Sequence, residues 1–322
     1  MKESLLKYIK CPKCQGSLEV SQRNSMESGE IIEGLLSCSA CKETFPIKNS
    51  FPHLLDSQFL GMLKNELTKV KSRYEYEWKQ FPGLFDLEEG SEEEFFSLTS
   101  LSPEDLTGKV VSDIGCGAGR HTQIAAKYAK EVIALELSES GLMKTKELCR
   151  NFDNVHYVLG NVCQTPFADQ TFDLSYCLGV LTFLPDPLQG FRDVARITKK
   201  DGVISVYVLN RKSSWYEFLD RNVRKITSRL PNSLLHFFSL CLVPFIPLMK
   251  SVKGTQKRRE SEGVGHVFDW LSSATHHSHT REEVNGWFLA EGIKEIIFSN
   301  ELLGVTGWKK TTHEQVKTAP RP

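Results

Sequence analysis

Residues 110–122 read VVSDIGCGAGRHT. Val110 and Val111 belong to a short apolar run that predicts a buried strand. Gly115, Gly117 and Gly119 then alternate with small residues before a helix-forming stretch. Glycine admits positive φ and lets a ligand come against bare main chain. A dinucleotide fingerprint G-x-G-x-x-G would need glycine at position 120, where Arg120 stands. The pattern is D-x-G-x-G-x-G, with Asp113 just before the turn. A carboxylate there repels a pyrophosphate and suits a ligand that carries an ammonium group.

Outward from this turn the chain alternates strand and helix. KVVSDI is followed by a helix from Arg120, EVIALEL by a helix that opens at Ser138, and VHYVLG by the strand FDLSYCLGV. LQGFRDVARITK is helical again and GVISVYVLN is a fifth strand. Such alternation implies a mostly parallel sheet covered on both faces, with ligands beyond the carboxyl ends of its strands. IKEIIFSN and LLGVTGWKK read as a closing strand pair.

The glycine pattern resembles motif one of the class I S-adenosylmethionine-dependent methyltransferases, of the methyltransferase type 11 and ubiquinone-menaquinone kind. Three later stretches fit that family in order: EVIALELSES, GNVCQTPFADQTFDLSYCLGVLTFLPDP and VARITKKDGVISVYV. The resemblance implies a Rossmann-like α/β sheet with an antiparallel closing strand. It also implies that S-adenosylmethionine is the cofactor. Gly115, Gly117 and Gly119 would pass under its methionine and ribose parts. Asp113 would orient the ammonium and Glu136 would take the ribose hydroxyls. Asn161 stands where the family usually has Asp beside the adenine, and its amide oxygen is expected to accept from the adenine amino group. Val162 and Leu178 would flank the ring and the sulfonium. LTFLPDP has Thr182 and Phe183 where the common version has histidine, which removes one usual base.

Cys11-Pro-Lys-Cys14 and Cys38-Ser-Ala-Cys41 form two C-x-x-C pairs with zinc-ribbon spacing. Two facing turns of this kind make a tetrahedral thiolate site. So short a segment buries little apolar area, so a structural Zn(2+) is expected to supply much of its folding energy. LLKYIKCPKCQGSLEV and LLSCSACKETFPIKNSFPHLL resemble the zinc-ribbon family that includes the activator subunit of tRNA and protein methyltransferases. The resemblance implies Cys11, Cys14, Cys38 and Cys41 as metal ligands.

The expected organisation is a ribbon over 1–56, a helical linker or lid over 57–104, a methyltransferase domain over 105–310 and a disordered tail over 311–322. Within RYEYEWKQF, Tyr74, Trp78 and Phe81 fall at helical spacing, as a packed stripe or as an aromatic lid. Residues 210–265 form a helical insertion after strand five. Its apolar run from Leu234 to Met249 is shorter than the ~20 residues of a membrane span, and Pro244 and Pro247 interrupt it. It reads as a lid over a hydrophobic substrate, or as a membrane-surface contact through 234–259 helped by flanking basic residues. In WLSSATHHSHTREEVNGWF, Thr280 and Glu283 make a capping box. His276, His277 and His279 before it, and His121 after the glycine turn, are candidate bases. One of the three clustered histidines is expected to pack on Trp287.

Lys+Arg and Asp+Glu both number 40, which argues against a general nucleic-acid clamp. The first ten residues lack the apolar core of a secretion signal. The scattered cysteines fit a reducing cytoplasm, with peripheral membrane attachment as a variant. The leading expectation is methyl transfer to a small hydrophobic acceptor. The alternatives are an RNA methyltransferase and a non-catalytic cofactor-binding module, and the ribbon's protein partner is left open.

Overall fold

β-Branched and apolar residues build the centre of the sheet. Val110–Ile114 (β5), Glu131–Glu136 (β6), Val155–Gly160 (β7), Phe172–Leu178 (β8) and the second half of Thr198–Tyr207 (β9) carry mostly buried runs, as parallel strands covered on both faces must. The computed structural model describes residues 1–56, 72–73, 75–77, 79–81, 91–243, 260–272, 276–299 and 303–309. Tyr74, Trp78, the end of the apolar insertion with its basic flank, and the tail all lie outside the described residues.

Six further strands lie before or after this parallel core in the same sheet. Leu18–Glu27 (β1), Glu30–Cys38 (β2), Thr44–Lys48 (β3) and Phe51–Leu54 (β4) form an antiparallel meander. Glu295–Phe298 (β12) and Gly304–Trp308 (β13) close the far edge, with β13 antiparallel to β9. The order is β1-β2-β3-β4-β7-β6-β5-β8-β9-β13-β12. β5 pairs with β6 on one side and β8 on the other, so the order reverses there. That reversal is the place where open α/β sheets hold ligands.

The ribbon is therefore an extension of the main sheet. His53 and Leu54 of β4 pair in parallel with Leu159 and Gly160 of β7. Tyr8 stacks on Phe172 at 6.1 Å, and its hydroxyl donates to Glu131. Leu5, Ile9, Phe45 and Ile47 share one core with Ile114, Phe167 and Phe191. This core stabilises the ribbon alongside any metal.

Helices cover the sheet: Ser91–Thr99 (α1), Pro103–Leu106 (α2), Arg120–Ala126 (α3), Glu139–Leu148 (α4) and Pro187–Ile197 (α5). Ser102 precedes α2, and its backbone N–H donates to Asp105 at 2.8 Å. The insertion supplies Ser214–Thr227 (α6), Asn232–Leu242 (α7) and Glu260–Ser272 (α8). Phe81 is buried with Leu235 of α7 and Phe268 of α8, and Tyr76 stacks on Phe268. The packed-stripe reading thus holds at Phe81. Leu209–Asn210 (β10) pairs in parallel with Ser278–His279 (β11), ahead of Arg281–Ala290 (α9). No helix among the described residues is long and apolar enough to cross a membrane.

The four cysteine sulfurs lie within 4.8 Å of one another. Cys11–Cys41 and Cys14–Cys38 are 3.7 and 3.5 Å apart. A tetrahedron with Zn–S of about 2.3 Å has edges of about 3.8 Å, so this donor set fits one zinc ion. Gly16 explains part of the fit, because a Cβ there would sit 2.9 Å from the Cys38 sulfur and 3.2 Å from that of Cys14. Protein purified without chelator should carry one zinc per chain by elemental analysis. Gly16→Val should lose most of that metal. Because the ribbon shares the sheet, the variant should lower a single melting transition of the whole chain and produce no separate ribbon transition.

Candidate functional site

The three glycines do different work. Gly115 has φ 82°, and a Cβ there would meet Val180, beyond the end of β8, at 2.5 Å. Gly119 has φ 89°, and a Cβ there would meet Thr145 of α4 at 2.7 Å. Both are thus demanded by the protein's own packing. Gly117, also at positive φ, donates its N–H to Glu136 Oε2 at 3.1 Å and accepts from Thr145 Oγ1 at 3.0 Å. The turn is locked to β6 and α4 and leaves main chain bare between them.

Asp113, Glu136, Asn161 and Leu178 stand at or just past the carboxyl ends of β5, β6, β7 and β8. Glu136 Oε1 accepts from the N–H groups of Leu137 at 2.9 Å and Ser138 at 3.0 Å. With Gly117 this fills about three of the four acceptor positions of a carboxylate. One is left free of backbone donors. Burial pushes the Glu136 pKa up against the pull of these three N–H groups.

Asn161 is 6% exposed. Its Oδ1 accepts from the Cys163 N–H at 3.1 Å, while Nδ2 has no hydrogen-bond partner among the described residues. The Cys163 donor fixes the orientation of the amide. The group left unpaired is therefore a buried donor, where an acceptor is expected from the sequence. A donor here complements a ring nitrogen of adenine. The same loop is braced by the ribbon, because Gln164 Nε2 donates to the Pro12 carbonyl at 2.7 Å and Gln164 bridges back to Asn161. Val162 is buried in the shared core, and Leu178 is half-buried.

The four candidate histidines separate. His121 packs on Phe95 beside Arg120, and burial first, then that cation, holds its pKa down at about 3. His279 lies edge-on to Trp287 at 4.7 Å, as anticipated, and contacts Glu283 at 3.3 Å. His277 is partly buried, and its N–H donates to the Thr182 carbonyl at 2.8 Å. His276 lies 5.8 Å from the Phe183 ring, with Nδ1 3.5 Å from Asp220 Oδ2. Asp220 is buried, which alone would raise its pKa. His276, the Arg224 guanidinium and the Trp270 indole N–H instead hold it at about 2. Trp270 donates at 2.5 Å and Arg224 at 2.8 Å. The segment Val180–Phe183 connects this pair to the glycine turn. Asp220 and Trp270 carry no sequence signal of a site, and Arg224, which the sequence counts among the basic residues flanking a membrane-surface contact, is instead buried against Asp220; the three converge only when α6 and α8 pack together.

Residues 112–206 match the methyltransferase domain family, and residues 2–50 match the Trm112p-like protein family. An uncharacterized methyltransferase of Schizosaccharomyces pombe is 34% identical over 104 residues, covering 29% of this chain and 37% of its own length. A ubiquinone biosynthesis O-methyltransferase of Aliivibrio fischeri is 28% identical over 128 residues, covering 39% of this chain and 55% of its own. A solved SAM-dependent methyltransferase from Aquifex aeolicus aligns with a TM-score of 0.40 at 13% identity, over 69% of this chain and 98% of its own. The chain spans about half or less of the length of these curated relatives. The chain thus joins a segment similar to a methyltransferase domain to one similar to Trm112p-like proteins.

Asp113 is buried, and its Oδ2 accepts from Thr122 Oγ1 at 2.6 Å. Burial raises its pKa to about 7, although the Thr122 and Tyr176 hydroxyls pull the other way. Only the carboxylate form attracts an ammonium group. Below pH 7 a proton must leave before a cation binds, so affinity for S-adenosylmethionine should rise about tenfold from pH 6 to pH 8. Calorimetry across that range should give this slope for the wild type. Asp113→Asn should give weak binding with a flat profile.

Proposed function

We propose that this protein is an S-adenosylmethionine-dependent methyltransferase acting on a small, hydrophobic acceptor. The observation that carries the reading is the bare turn at the sheet's reversal point, flanked by Asp113 and Glu136, with the unpaired amide donor of Asn161 just past the end of β7. Those three groups complement an ammonium, a ribose hydroxyl and a ring nitrogen respectively. The names of the relatives, which include ubiquinone O-methyltransferases, support an apolar acceptor.

When bound, S-adenosylmethionine supplies a methyl group on a positively charged sulfur. The chain's own contribution is mainly positioning. Gly117 offers main chain without a side chain, Glu136 holds the ribose, and Val162 and Leu178 sandwich the base. Holding the acceptor in line with the methyl can account for most of the acceleration. A hydroxyl acceptor must also lose a proton. His276 is the residue we assign to take it at Nε2, with Asp220 at Nδ1 steadying the imidazolium that forms.

Incubation with methyl-labelled cofactor and cell extract should put label in the solvent-extractable lipid fraction. Label in RNA or protein would favour another acceptor class, and no label in any fraction would point to a binding module. Glu136→Ala should weaken cofactor binding by about 1–3 kcal/mol. His276→Ala should lower kcat about 100-fold or more while leaving the cofactor Kd unchanged. Asp220→Asn should show the same split between kcat and Kd with a smaller loss.

A further inference from the structure

Helix α6 has its polarity reversed. A surface helix normally turns its apolar stripe inward and its charges to water. Here the inward face carries the Asp220–Arg224 ion pair, at 2.8 Å and 7% and 4% exposed. The outward face carries Trp215, Phe218, Leu219, Val223 and Ile226, with Trp215 69% and Ile226 67% exposed. These five positions fall on one side of the helix at 3.6-residue spacing. Helix α7, which follows α6 in the chain, also exposes Phe237, Phe238 and Leu240. Scattered exposed apolar residues are ordinary, but a one-sided stripe of this kind marks a contact with something else.

The charge around the patch indicates what that is. Arg221 and Lys225 are exposed and four residues apart, which sets them one above the other along one border of the α6 stripe, and exposed Arg229 follows two residues past the helix's end. From Arg211 to Val243 there are six basic residues and two acidic ones, a net of +4 in a chain whose total is zero. Both acids are withdrawn from that border. Asp220 is buried, and half-buried Glu217 accepts from the Lys212 N–H at 3.1 Å. α6 and α7 have 14 and 11 residues and are separated by Pro231, so neither spans a bilayer. An aromatic and aliphatic face bordered by cations, on helices too short to cross, has the make-up of an interfacial anchor.

We propose that the outward faces of α6 and α7 dock this protein on an anionic lipid bilayer. Phe218, Trp215 and Ile226 enter the headgroup and acyl boundary, and Arg221, Lys225 and Arg229 meet the lipid phosphates. This surface does not depend on the methyl-transfer reading, since docking requires neither cofactor nor turnover.

The test is flotation of the full chain with vesicles of phosphatidylcholine mixed with phosphatidylglycerol, against phosphatidylcholine alone. The wild type should float with the mixed vesicles and remain behind with the neutral ones, and high salt should release it. Arg221→Gln with Lys225→Gln should weaken binding about 30-fold. Phe218→Ser with Ile226→Ser should abolish it. All four side chains are exposed, so circular dichroism and cofactor affinity should be unchanged in both variants, which separates lost docking from lost folding. Failure of the wild type to float would overturn the proposal. So would equal binding to both vesicle types. A dimer in sedimentation that Phe218→Ser with Ile226→Ser turns into monomers would also overturn it, by assigning the face to a second copy.

Discussion

The fit of the 115–119 turn between three neighbours sets the rest of the site. Val180 leaves no room for a side chain at Gly115, Thr145 leaves none at Gly119, and the Glu136 carboxylate binds the amide of Gly117. Each contact joins the end of β5 to a different element: the segment after β8, helix α4 and strand β6. A shift of the turn by a few tenths of an ångström would be felt in all three. The buried carboxylates on either side have their positions fixed by this lock, and a preorganised arrangement needs no rearrangement when charge arrives.

The sheet core and the turn were legible in the sequence because they rest on local rules. Apolar runs of strand length and the D-x-G-x-G-x-G spacing each need only a few neighbouring residues to be read. The four cysteines were legible for the same reason, and so was the Thr280–Glu283 capping box. What could not be read depends on residues far apart in the chain. The direction of the Asn161 amide is set by the N–H of Cys163 and becomes meaningful only once that site is closed. Gly16 reads as an ordinary turn glycine until the second cysteine pair folds over it. His276 is one of three similar histidines in sequence, and only the packing of α6 on α8 gives it a carboxylate partner. The ribbon's merger with the sheet rests on a two-residue pairing between β4 and β7, too little to mark a sequence.

That merger changes what the ribbon does. A domain on a linker could stabilise only itself. Here the knuckle that contains Cys11 supplies the Pro12 carbonyl to Gln164, and Gln164 braces the loop that carries Asn161. One hydrogen bond and one backbone bridge thus join the cysteine knuckle to the loop that carries Asn161. The link is short and contiguous, with no lever or moving part.

Helix α6 explains why an insertion should carry charge inside and hydrocarbon outside. Its inner face must be polar, because Asp220 there meets His276 and Trp270 beside the segment that touches the glycine turn. Its outer face is then the only part of the helix able to carry apolar residues. In water those residues would favour burial or aggregation; against a bilayer the same residues are satisfied, and the helix has a partner on each side. A hydrophobic acceptor dissolved in that bilayer would lie within a helix diameter, roughly 10 Å, of the residues assigned to handle it. On the proposed docking, the two faces would serve one task, since the polarity that makes α6 awkward in solution would bring an apolar substrate to the polar chemistry on its other side.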